Sequence, residues 1–113
     1  MCRLLWPFLL LLGACYPQGG PGAGGGSAEP CPGVIQIQGF AFRPARCSVA
    51  AGTSLRFQNL DLAPHMATAE GGGFDTGTLN PGDTSAPIAL TQPGTYAYFC
   101  RIHPSMRGVI EVR

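Results

Sequence analysis

Between Val34 and Gln38, Ile35 and Ile37 alternate with Gln36 and Gln38, and Leu55 and Phe57 alternate in the same way within Thr53 to Asn59. A period of two puts successive side chains on opposite faces of a strand, so both runs are expected to be half-buried strands. Tyr96, Tyr98 and Cys100 repeat the period, which directs the two aromatics into a core and brings Cys100 to the strand's end. Gly52-Thr53, Asn80-Pro81-Gly82-Asp83 and Gln92-Pro93-Gly94 mark turns between such runs. No segment has a convincing amphipathic helical period. Short strands with frequent turns predict an all-β chain folded as an antiparallel β-sandwich.

The N-terminal 30 residues lack this pattern. Arg3, the apolar stretch Leu4 to Leu12 with Pro7 inside it, and Leu12-Gly13-Ala14-Cys15 read as a positive start, a short apolar region and a small-residue cleavage site. The stretch is too short to span a bilayer, so residues 1–14 are expected to be an export signal and not an anchor helix. Leu-Gly-Ala-Cys resembles the lipobox of bacterial lipoproteins, which implies cleavage before Cys15 and lipidation of its thiol. Residues 15–30 are then a lipidated cysteine and a linker rich in Gly, with Pro, Ser and Ala, either a tether that lets the domain reorient or a plain spacer. Its Gly-rich part has a typical span of roughly 20 Å. Residues 31–113 remain for one domain of about 80 residues, a size at which disulfides or metals often help.

Cys100, His103 and Met106 form a C-x-x-H-x-x-M run, and the other histidine, His65, lies far upstream after Pro64. One thiolate, two imidazoles and one thioether make up the donor set of a copper electron-transfer site. On a helix, positions 100, 103 and 106 would climb about 1.5 Å per residue and spread too far to meet one ion. Pro104 also disfavours α conformation at His103, so the run is expected to be a tight loop leaving a strand. Thiolate and thioether select for Cu(I), imidazole suits both copper states, and no carboxylate in the loop favours a hard cation. Alone, C-x-x-H could be half of a zinc site or chance, and a Met three residues later is more often core packing than a ligand.

Several segments carry a family resemblance: V-I-Q-I-Q-G-F-A-F-R-P (34 to 44), A-A-G-T-S-L-R-F-Q-N (50 to 59), D-L-A-P-H (61 to 65), F-D-T-G-T-L-N-P-G-D-T (74 to 84) and P-G-T-Y-A-Y-F-C-R-I-H-P-S-M-R-G (93 to 108). From Val34 to Arg113 the chain resembles the small type 1 copper proteins of the plastocyanin and amicyanin family, the cupredoxins. The resemblance implies a Greek-key sandwich and one copper ion per chain, with His65, Cys100 and His103 as equatorial ligands and Met106 as a weak axial one. The short spacing from His103 to Met106 is amicyanin-like. In many relatives the residue after the first histidine is Asn, whose side chain helps pin the ligand loop; here it is Met66. As a strand neighbour of His65, Met66 should point to the opposite face. The resemblance also implies that the His103 edge is an electron port in an apolar patch with Ile102, Pro104 and Met106 nearby.

With Cys2 removed in the signal, Cys15 lipidated and Cys100 on metal, Cys31 and Cys47 are left as a pair in an oxidising compartment, and a disulfide between them is expected. Without Arg3 the chain has six Arg, no Lys and six acids, so long-range steering of partners is weak. Arg101 and Arg107 flank the loop, as a docking pair for an acidic face or as solvated charges. Plastocyanins use an acidic patch beside the residue before the ligand Cys; that residue here is Phe99, with no acid near it in sequence, which speaks against a second port. No basic cluster points to nucleic acid.

Four protein ligands leave no open position for a substrate, so the expected role is electron carriage and not enzymatic catalysis. The chain is also too short for the second copper centre of the family's larger enzymes. The expected protein is an exported, lipid-anchored monomer on the periplasmic or extracellular face of a bacterial membrane, exchanging electrons with redox proteins. Two other readings stay open: a copper store or donor that hands over Cu(I), with Met66 and Met106 as a transient soft site, and a zinc-binding or metal-free interaction domain on the same sandwich.

Overall fold

Both alternating runs are strands with the expected faces: Ile35 and Ile37, and Leu55 and Phe57, point into the core while their neighbours face outward. The computed structural model describes residues 28–113; the expected signal, the Cys15 lipidation site and the linker through residue 27 lie outside the described residues. The strands are β1 (Glu29–Pro30), β2 (Val34–Ile37), β3 (Phe42–Arg43), β4 (Arg46–Val49), β5 (Thr53–Asn59), β6 (Thr68–Ala69), β7 (Ile88–Leu90), β8 (Gly94–Phe99) and β9 (Arg107–Val112). No helix occurs among the described residues. Glu29 and Pro30, placed in the linker by composition, add a short strand to the domain.

The strands form two sheets, ordered β1-β4-β9-β8-β6 and β3-β2-β5-β7. The all-β sandwich is as expected, but its pairing is mixed and not antiparallel throughout: β2 runs parallel to β5, and β1, β4 and β9 run parallel to one another. The cause is connectivity. Only β2 to β3 and β8 to β9 are consecutive strands kept in one sheet, so most neighbours are far apart in sequence and can share a direction. The Asn80 to Asp83 turn has the features of a type II turn, with Pro81 second, Gly82 third at φ 88° and the Asp83 N–H donating to the Asn80 carbonyl at 2.9 Å.

The core is aliphatic with an aromatic centre. Phe42, Phe57 and Phe74 surround Tyr98, with ring centroids 4.7, 5.3 and 5.7 Å from it. Tyr96 is only partly buried, and its hydroxyl donates to the Gln92 carbonyl. The two tyrosines therefore differ, and Tyr98 alone is a full core residue. Cys31 and Cys47 are disulfide-bonded and tie the end of β1 to β4. A loop of this length is worth about 3 kcal/mol in the chain-entropy model, while each buried Ile or Phe contributes about 1.5–3 kcal/mol. Ile35 and Ile37 together thus equal or exceed the crosslink, and the sandwich rests mainly on its core.

Two consequences place the site. Phe99 and Arg107 are the last pair of the β8–β9 ladder, so Cys100 to Met106 connects these strands at one end of the sandwich. β1 runs parallel to β4 and β9, away from that end, and begins at Glu29 level with Cys47 and Ile110, midway along the sheet.

Candidate metal centre

Cys100 leaves β8 at the inward phase of the Tyr96–Tyr98 alternation and is completely buried, the only free cysteine among the described residues. Its N–H donates to the Met106 carbonyl and the Met106 N–H to the His103 carbonyl, which closes residues 100–106 into a tight loop. Met106 is buried and His103 half-exposed. His65 arrives from the other sheet: the chain leaves β5 at Asn59 and forms an isolated bridge between His65 and Leu79, with reciprocal backbone hydrogen bonds of 3.0 and 2.7 Å.

His65 is fully buried, with Nδ1 3.9 Å from the Cys100 sulfur. Two donors bound to one ion at about 2.0 and 2.3 Å would stand about 3.7 Å apart at a trigonal angle, so this spacing suits a shared metal. The His103 ring lies beside that of His65, centroids 5.1 Å apart. Among the described residues no three His, Cys, Asp or Glu side chains form a ready metal cluster. His65 and Cys100 are at sharing distance, His103 is brought ring to ring with His65, and Met106 is buried at the end of the loop. That donor set, with a buried unpaired thiol at its centre, fits a soft redox metal.

Two residues around His65 carried no signal read from the sequence. Asp61 Oδ2 lies 2.9 Å from His65 Nε2, and the same carboxylate accepts the Gly39 and Phe40 N–H groups at 2.7 and 2.8 Å. Asp61 accepting from Nε2–H leaves Nδ1, the nitrogen facing Cys100, free to bind metal. Burial pushes the Asp61 carboxyl up, but the hydrogen bonds from Phe40, Gly39 and His65 outweigh it and hold the group below the ordinary aspartate value. Asn59, also fully buried, donates to the Ala63 and Leu79 carbonyls and accepts the Asp61 N–H, which pins the segment leading to His65. An acid four residues before His65 was the available clue to Asp61; its contact with the Gly39-Phe40 turn was not readable. Met66 is partly buried and packs against the core.

The chain matches the Cupredoxin-like domain family over residues 8–112. It belongs to the cupredoxin-like family. Amicyanin of Paracoccus versutus is 29% identical over 83 residues, covering 70% of this chain and 63% of the relative, and plastocyanin of Physcomitrium patens is 32% identical over 85 residues, covering 65% and 51%. The chain thus spans under two thirds of the length of these two relatives. Among solved structures, a Cu-containing nitrite reductase from Thermus scotoductus is similar with a TM-score of 0.67 and 33% identity, over 75% of this chain and 23% of that one. The cofactor of the cupredoxin family is copper, one ion per chain.

Around the half-exposed His103 of this cupredoxin, Ile102 and Pro104 are exposed, as is Phe40, whose ring meets that of His103. Met106, expected near this patch, is buried. Arg101 pairs with Asp75 at 3.6 Å, and Arg107 pairs with Glu70 while its guanidinium lies over the Phe99 ring. Both arginines thus have carboxylate partners, and the fold supplies beside Phe99 an acid that is distant in sequence.

Proposed function

We propose that this chain is a one-electron carrier holding one copper ion between His65, Cys100, His103 and Met106. The observation that carries the reading is the buried, unpaired Cys100 thiol facing the Nδ1 of His65, whose other nitrogen is taken by Asp61. Copper supplies the one-electron Cu(I)/Cu(II) couple when bound. The chain's part is to keep the donors in place in either state: Asp61 orients His65, two backbone hydrogen bonds fix the loop, and burial keeps water from Cys100. Four donors leave no position for a substrate, which supports carriage over catalysis.

The exposed apolar surface around His103 serves as the contact for a redox protein, with Ile102 and Pro104 at its rim. Export and a lipid on Cys15 would tether the monomer at the outer face of a membrane; a Cys15→Ser chain recovered in the membrane fraction, as the native chain is, would remove the tether from this proposal. The deciding experiment is the visible spectrum of the chain with Cu(II), beside a Cys100→Ser control and after ascorbate. An intense thiolate-to-copper band that disappears on reduction, returns on reoxidation and is absent from the control supports the carrier. A colourless product overturns it.

A further inference from the structure

We propose, building on the copper reading above, that Phe40 is a positioning residue for the metal centre, bracing the His103 imidazole against His65 from outside the ligand loop. Phe40 has a φ of 57°, in the left-handed region that a bulky side chain rarely adopts. Such a conformation persists only where the surroundings over-determine it. Here they do, because the Asp61 carboxylate accepts the N–H groups of both Gly39 and Phe40.

The position this enforces has no core-packing explanation. Phe42, two residues on, is buried among Phe57 and Tyr98, whereas Phe40 is 51% exposed. What the Phe40 ring does contact is the imidazoles: it meets His65 at 5.0 Å and 87°, and His103 at 4.9 Å and 76°. Both are edge-to-face arrangements in the favourable distance range. The two histidines are held differently. His65 is fixed by Asp61 on one side and faces Cys100 on the other, while His103, on a half-exposed loop, has its ring contacts with Phe40 and His65. Phe40 therefore limits how far His103 can swing toward solvent and covers the edge of the buried His65. Through Asp61, one carboxylate governs both imidazoles, His65 directly and His103 by way of the Phe40 ring.

The test begins with the native full chain free of copper. Nuclear Overhauser contacts are expected from the Phe40 ring protons to the ring protons of both His65 and His103; their absence would overturn the brace. Phe40→Leu keeps an apolar side chain without the ring, and Phe40→Tyr keeps the ring. In Phe40→Leu the His103 ring resonances should move toward those of a free imidazole, and Cu(I) should pass to an excess of chelator on the order of 10-fold faster, as for other residues supporting a ligand. Phe40→Tyr should restore both values. Native-like His103 resonances and release in Phe40→Leu reject the proposal. Because the contacts are read without metal, a chain that has them yet develops no thiolate-to-copper band keeps the brace and loses the copper reading, and the converse result does the opposite.

Discussion

The Asp61 carboxylate meets the Nε2 of His65 at 2.9 Å, and it is the opposite nitrogen of that imidazole that faces the Cys100 sulfur. One hydrogen bond thereby selects which nitrogen is offered to a metal. Removing such a partner typically costs about 10–100-fold in metal affinity. Asp61→Ala is expected to lose copper affinity in that range in a chelator competition, while Asp61→Asn, whose amide oxygen can still accept from Nε2–H, should lose less. Equal affinities for the native chain and Asp61→Ala would mean that His65 is oriented by its backbone bridge alone.

Tyr98 carries a different kind of tension. Its ring is at the centre of the core, yet its hydroxyl is buried without a hydrogen-bond partner among the described residues, and burial pushes its phenol well above the ordinary value. An unsatisfied buried hydroxyl costs about 1–3 kcal/mol. Tyr98→Phe is expected to raise stability by about 1 kcal/mol, read as a higher urea midpoint at unchanged slope. A lower midpoint would show that the hydroxyl is satisfied.

Gly108 lies opposite Tyr98 in the β8–β9 ladder, and a Cβ there would clash with both Cζ and Oη of the tyrosine. The ring is locked in the core and cannot swing away as a flexible side chain would. Gly108→Ala is expected to destabilise by about 1–3 kcal/mol. Combined with Tyr98→Phe the loss should shrink, because Oη is gone while Cζ remains, and a double-mutant cycle should report coupling above about 0.5 kcal/mol. Strict additivity would show that the backbone yields instead.

Replacing Cys31 and Cys47 together by Ala should lower stability by about 3 kcal/mol, seen in the thermal midpoint, since their bond closes a loop across a separation of 16 residues. The visible spectrum with copper should not change, because neither residue belongs to the donor set. A changed spectrum would mean that β4 helps to set the ligand loop through its partner β9.

What could be read in the sequence was local. The Ile35–Ile37 and Leu55–Phe57 alternations fix both a strand and its buried face, and the Pro104 constraint makes the Cys100 to Met106 run a loop. The parallel pairing of β2 with β5 was not readable, since alternation says which face is buried and nothing about which distant strand lies alongside. The same limit hid Phe40 and Asp61. Their contact joins a turn after β2 to a segment after β5, 21 residues apart, and neither residue type carries a metal-site signal alone. Arg107 and Glu70 likewise meet only because β6 pairs with β8.

The place of β1 has a mechanical consequence. Glu29 lies level with Cys47, Ile110 and Tyr96, midway along the sheet, so a lipid on Cys15 would hold this molecule by the middle of an edge. A leash fixed there would keep the half-exposed imidazole within the leash's length plus about half the sandwich of the bilayer, however the body turns. One fixed at the far end would add the full height of the sandwich to the leash's length. Such a carrier would sample redox proteins embedded in its own membrane far more often than those diffusing beyond it.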